Sequence, residues 1–208
     1  MSMEKLGTGV RRKQIAGAAL EVLAAGGPRA LSVGAVARRV GLVPSAIYRH
    51  FKSKDEMTVA AIGLFRERLE ENVRAVREES PDALARLAGL LNRHVRMIRD
   101  NIAMPRIVFS EGLVGGPAEA RRLVLANIRL YLDGVAGIVK EGQAAGTVKP
   151  GLVPETVAVM FLGLIMPAAI LWHLTEGGFD VTRHAARAWA SFREAIAVNP
   201  RSRKRAGK

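Results

Sequence analysis

The chain has 208 residues, 49% of them apolar and none a cysteine. It can therefore bury a core as one large domain or two small ones, and disulfides, thiolate catalysis and cysteine-based zinc sites are excluded. Its formal net charge of +13 sits at the ends: residues 1–54 hold ten Lys/Arg against two Asp/Glu, residues 199–208 five against none, and residues 55–198 balance at 17 of each. An evenly solvated surface or a coding bias toward arginine would spread that excess, whereas its concentration is the electrostatic footprint of a polyanionic partner.

The opening MSMEKLGTGVRRKQ carries charge but no apolar run, so it does not read as a secretory signal and a cytoplasmic location is expected. A helix follows over about Arg11 to Ala25, with Ile15, Ala19, Val22 and Leu23 on its core face. The next stretch, LSVGAVARRVGLVPSAIYRHFKSK from Leu31 to Lys54, reads as two short helices around a tight turn. Ser32 can cap the first, along which Val33, Val36, Ala37 and Val40 form an apolar stripe with Arg38 and Arg39 off it. Gly41 stops that helix, since glycine enters the left-handed region without strain. Pro44 suits the first position of a second helix running to about His50. There Ile47 and Phe51 pack inward, and Ser45, Ala46, Tyr48, Arg49 and Lys52 remain outside. Ser53 and Glu56 have the spacing of a capping box, so a longer helix begins near Ser53 and runs to about Glu79.

Two short helices with one apolar and one cationic face are the layout of a helix-turn-helix, whose second helix enters the DNA major groove. At GLVPSAIYRHFKSKDEM the chain resembles TetR-type bacterial transcriptional regulators, in which a Tyr-x-His-Phe cluster, a short loop and a Lys end the recognition helix. Those positions are Tyr48, His50, Phe51 and Lys54. The resemblance is strong from Arg11 to Leu69 and beyond that rests on length and helical pattern. It implies an all-α protein of about nine helices: a DNA-binding domain over residues 9–69 with its motif at about 32–51, and an effector-binding and dimerisation domain over 70–198. It also implies a homodimer that binds a palindromic operator in double-stranded DNA, a repressor released by a small, lipophilic effector. Val43, Pro44, Ser45, Ala46 and Arg49 would face base edges, Tyr48, His50, Lys52 and Lys54 would hold phosphates, and Ser32 would cap the helix behind them. Val43 stands where many relatives carry Ser or Thr. It can neither cap nor bond phosphate, but it can meet a thymine methyl.

The rest of the chain reads as further helices. Ser80-Pro81 starts one carrying Leu84, Leu87, Leu91, His94, Val95 and Ile98, and others are expected at about Pro105 to Val114, Ala118 to Gln143, Glu155 to Leu174 and Thr182 to Val198. The apolar run from Val157 to Trp172, about 16 residues with Pro167 inside, falls short of the ~18–20 that cross a bilayer. No membrane partner is therefore expected. A helix apolar all round is a buried one, and the resemblance implies that the last two helices, about 155–174 and 182–198, pair with those of a second subunit. Gly163, Ala168, Ala169 and Ala190 would allow close approach. The tail from 199 to 208 reads as basic and disordered, either adding phosphate attraction or serving solubility.

The resemblance places an effector in the core of the second domain. His94 and Asn127 lie on otherwise apolar helix faces, with Tyr131 beside Asn127, and Met97, Met104, Phe109 and Trp172 suit an adaptable apolar cavity. Each has a plainer reading as a core residue. Catalysis, metal binding and cofactors are not expected. His50, His94, His173 and His184 show no metal-ligand spacing, no serine sits in a nucleophile elbow, and no glycine-rich loop follows a strand. The alternative from another class is a helical adaptor or lipophilic-ligand carrier, which sequence-dependent DNA binding would reject.

Overall fold

The computed structural model describes residues 7–100 and 118–199. Among them the fold is all-α, with eight helices and a single antiparallel bridge between Val148 and Ala197. The helix expected at Pro105 to Val114, together with Met104, Phe109 and the tail beyond Asn199, lies outside the described residues. The chain divides into two compact units, residues 7–69 with 100 and 118–127, and residues 70–99 with 128–199.

In the first unit, α1 (Thr8–Ala30) buries Ile15, Ala16, Ala19, Leu20 and Leu23, while Val22 is only half-buried, so the inward face is turned toward Leu20. The helix is interrupted at Gly27, whose φ of 71° and ψ of −175° lie outside the helical region, and Pro28 restarts a final turn. Helices α2 (Val33–Val40), α3 (Pro44–Tyr48) and α4 (Lys54–Glu79) follow. Leu31, Val36, Ile47, Phe51, Met57, Ala61 and Ile62 are buried with the α1 residues in one core. Full burial of each Leu, Ile, Val, Phe or Met side chain among them is worth roughly 1.5–3 kcal/mol.

The second unit contains the end of α4, α5 (Ala83–Arg99), most of α6 (Ala118–Ala144), α7 (Pro154–Leu174) and α8 (Val181–Ile196). The start of α5 differs from the sequence expectation. Asp82 is its cap, accepting the Ala85 N–H at 2.7 Å, and Ser80 instead accepts the Asp82 N–H at 3.1 Å. Aspartate is at least as good a cap as serine, and it stands two residues nearer the apolar repeat. Leu84 is half-buried, whereas Leu87, Leu90, Leu91, His94, Val95 and Ile98 are buried.

The turn after α6 needs a glycine at its root: a Cβ on Gly142 would lie 2.6 Å from Val148 Cγ2 and 2.7 Å from Ala83 Cβ. Gln143 Nε2 donates to the Lys149 and Leu152 carbonyls at 3.0 and 2.8 Å, and the Lys149 N–H donates to the Ile196 carbonyl at 2.9 Å, pinning the loop to the end of α8.

Helix α7 corrects the length argument made from its apolar run. It has 21 residues, and an 18-residue stretch of it with a mean hydropathy of 2.1 is long and apolar enough to cross a membrane by length and composition; a third of that stretch is buried. Its buried side is Val157, Ala158, Phe161, Ile165, Ala168 and Ala169, and Phe161 meets Phe192 of α8 with ring centroids 5.8 Å apart. Ala168 and Ala169 are thus spent on packing within the chain. Gly163 and Ala190 are exposed, as are Val159, Met160, Leu171 and Leu174.

Candidate nucleic-acid interface

The motif in the first unit is built by capping. Ser32 is extended (φ −144°, ψ 157°) and its Oγ accepts the Ala35 N–H at 3.1 Å, starting α2. Gly41, at φ 67° and ψ 35°, ends it: the Leu42 N–H reaches the Ala37 carbonyl at 2.9 Å and the Gly41 N–H the Arg38 carbonyl at 3.4 Å. These are the two crossed bonds of a Schellman stop, and they turn the chain within two residues. Pro44 opens α3 at a position where no N–H is needed.

Helix α3 is shorter than expected, ending at Tyr48, with a turn through His50 whose last bond runs from the Phe51 N–H to the Ile47 carbonyl at 3.0 Å. Ile47 and Phe51 are almost wholly buried and hold the helix down. Val43, Pro44, Ser45, Tyr48 and Arg49 are exposed, Ala46 and His50 half-buried, and Ser32, Lys52 and Lys54 exposed beside them. His50 Nδ1 is buried without a hydrogen-bond partner, so only Nε2 could reach a phosphate. Among the described residues Arg38, Arg49 and Lys54 have no ion-pair partner, whereas Arg39 is paired with Glu21 at 2.6 Å and Lys13 with Glu67 at 2.9 Å.

Sequence reasoning missed Arg12. Its guanidinium donates to the His50 carbonyl and to Glu56 Oε1, the latter at 2.6 Å, and its Cζ lies 4.2 Å from the centroid of the Phe51 ring. Nothing in the local sequence sets it apart from Arg11. The capping box is also only half formed. Ser53 Oγ accepts the Glu56 N–H at 3.1 Å, but Glu56 Oε2 accepts the Lys52 N–H at 2.7 Å instead of that of Ser53. The Lys52 N–H and the Arg12 guanidinium hold the Glu56 carboxyl below the usual carboxylate range.

The expected effector residues are only partly brought together. In the second unit His94 and Tyr131 are buried and meet edge to face, ring centroids 5.0 Å apart. Met97 Sδ accepts a bond from Asn72 at 3.3 Å, and Trp172 is half-buried at the end of α7, where a Cβ on Gly177 would touch its indole. Asn127 belongs to the first unit, donating Nδ2 to the Ile62 carbonyl at 3.1 Å while its buried Oδ1 has no partner. An open groove of about 770 Å³ along α5, the 146–147 turn and α8 is lined by Leu84, Thr147, Trp189 and Arg193, among others, and by none of these.

The sequence pattern of the bacterial regulatory proteins of the tetR family matches residues 15–61, and that of the C-terminal region of YsiA-like proteins matches residues 61–193. The chain belongs to the tetR family of bacterial regulatory proteins. The fatty acid metabolism regulator protein of Bacillus subtilis is 27% identical over 172 residues, 81% of this chain and 86% of that protein. A tetR-family regulator from Agrobacterium tumefaciens has the same fold, with a TM-score of 0.79 at 17% identity over 92% of this chain and 100% of that one. The regulator FadR from Bacillus subtilis, solved in complex with stearoyl-CoA, matches with a TM-score of 0.70 at 24% identity over 86% of this chain and 96% of that one. As a tetR-family member the chain is a ligand-responsive, DNA-binding transcriptional regulator. Proteins of this family are in general non-enzymatic, soluble and cytoplasmic.

Proposed function

We propose that this regulator is a homodimeric repressor that grips a palindromic operator through α3 and releases it on binding a lipophilic effector. The observation that carries the operator reading is the outward side of α3. Val43, Pro44, Ser45 and Arg49 stand exposed on a helix pinned from behind by Ile47 and Phe51, with Ala46 half-exposed between them. In this reading those five meet base edges and Tyr48, His50, Lys52 and Lys54 meet phosphates, while Ser32 fixes the supporting helix. One helix this short offers few base contacts. Two on a dyad would read half-sites about 34–36 Å apart or a multiple of that.

The exposed side of α7 supports the dimer. Val159, Met160, Leu171 and Leu174 are each at least 40% exposed in the protomer and recur along one side with Gly163 and Pro167. An apolar strip of this extent is a partner surface. The residues 9–69 serve as the DNA-binding domain and 70–198 as the effector and dimerisation domain, with the basic residues from 199 onward adding non-specific phosphate attraction.

For the effector, the Bacillus subtilis relatives point to fatty-acyl thioesters as the class to test. The Tyr131 hydroxyl, buried beside His94, offers a donor for its carbonyl oxygen. Met97 and Trp172 would contribute to its apolar lining.

The test is selection of genomic fragments on the purified protein at physiological salt, followed by release with stearoyl-CoA. Enrichment of a few palindromes, lost on adding the thioester, supports the reading. Uniform retention that vanishes with rising salt would leave only counterion-release binding and would favour a carrier or adaptor.

A further inference from the structure

We propose that Arg12 is a positioning residue of the DNA-reading surface: from α1 it fixes the end of α3 and the turn into α4, and so sets the angle at which the α3 side chains meet base edges. The inference rests on the operator reading above and concerns a residue that lies outside the recognition motif.

Three contacts converge on one guanidinium. It donates to the His50 carbonyl, which the short α3 leaves without a helical partner, and to Glu56 Oε1 on the first turn of α4, and it stacks over the Phe51 ring. Glu56 in turn accepts the Lys52 N–H at 2.7 Å. Every residue from His50 to Lys52 is therefore held by Arg12 or by the carboxylate it pairs with. A five-residue helix is too short to stand by its own hydrogen bonds. Its buried Ile47 and Phe51 fix depth, but two apolar anchors on one side leave it free to roll about its axis. The planar, forked donor of arginine removes that freedom, because one rigid group bonds a carbonyl and a carboxylate in fixed directions while its face rests on an aromatic ring. Lysine, a single compact charge on a flexible stem, can hold Glu56 but cannot also fix the carbonyl and the ring.

Arg12→Lys tests this in the full-length protein, with Glu56→Gln breaking the same link from the other side through a neutral isostere. The probes are the most enriched genomic fragment and a scrambled duplex of equal length. With the variants folded by circular dichroism at the assay temperature, operator affinity should fall about tenfold or more. Affinity for the scrambled duplex should stay near wild type, so that the specificity ratio carries the loss. The slope of log affinity against log salt should not change, because Arg12 releases no counterion. Combining the two substitutions should add little to either alone.

A wild-type specificity ratio in the folded variants would overturn the proposal. So would a slope lowered by about one, which would make Arg12 a phosphate contact. Loss of the helical signal in both variants would overturn it as well and make Arg12 a folding residue. If wild-type protein shows no preference for any fragment, it is the operator reading that fails.

Discussion

His94 Nδ1 lies 3.0 Å from the Leu90 carbonyl oxygen and 3.3 Å from the Tyr131 hydroxyl, all of it buried. A carbonyl only accepts, so Nδ1 carries the proton and Nε2 is a bare acceptor; the Tyr131 hydrogen is then free to donate elsewhere. Burial dominates the energetics. It pushes the His94 pKa from 6.5 down to about 4, against the smaller opposing pull of the Leu90 bond, and pushes the Tyr131 phenol well up. Both side chains are therefore neutral at physiological pH.

The sign of the His94 shift fixes a pH dependence. A histidine whose folded pKa lies below its unfolded value contributes its full stability above 6.5 and loses it as the pH falls toward about 4, because the unfolded chain binds the proton first. The total is about 3 kcal/mol as an order of magnitude. Denaturant midpoints measured between these limits should fall more steeply for wild type than for His94→Gln, which cannot titrate. Parallel profiles would mean the imidazole is solvated.

Val43 leaves α3 without a side-chain cap, since its methyl groups cannot accept an N–H bond, and is 63% exposed. Val43→Thr should therefore raise stability by about 0.5–1 kcal/mol, the gain expected from a hydroxyl at a helix start. The same change should shift base preference. If Val43 meets a thymine methyl, replacing that thymine by deoxyuridine in the operator should weaken the wild-type protein and leave Val43→Thr less affected. Equal response of both proteins at every thymine would exclude the contact.

Tyr48 and Arg49 are neighbours in sequence with different expected roles. Tyr48→Ala should weaken binding to operator and scrambled duplex by a similar factor, since phosphates carry no sequence information. Arg49→Ala should cost about 1–3 kcal/mol at one base pair and relax selection there. Repeating the fragment selection with each variant checks both. An unchanged consensus with Arg49→Ala would remove that residue from the base-reading set.

How much of this was visible in the sequence follows from the range of the interactions. Ser32, Gly41 and Pro44 act on their own backbone or on residues within about four positions, so their roles are written in local order. The inward pair Ile47 and Phe51 follows from helical spacing. Arg12 was not legible, because its partners are 38 and 44 residues away and nothing local distinguishes it from Arg11. Glu56 passed as a capping-box residue because Ser53 did cap it; only the fold shows that a distant arginine and the Lys52 N–H take its carboxylate. The His94–Tyr131 contact is likewise long-range, 37 residues apart, and periodicity could place each on an inner face without joining them.

Helix α7 carries an exposed apolar side. Met160 is 51% exposed and Leu171 40% exposed in the protomer, on the side away from Phe161 and Ile165. A glutamate at either position should therefore leave the protomer folded, since its carboxylate stays in water. In the dimer the same carboxylate would be buried against apolar surface without a partner, which costs several kcal/mol. Met160→Glu and Leu171→Glu should accordingly sediment as folded monomers at micromolar concentration where wild type is a dimer. They should also lose most affinity for a two-half-site operator while keeping that for a single half-site. Variants that remain dimeric would place the interface elsewhere, and variants that unfold would mean α7 is covered within its own chain.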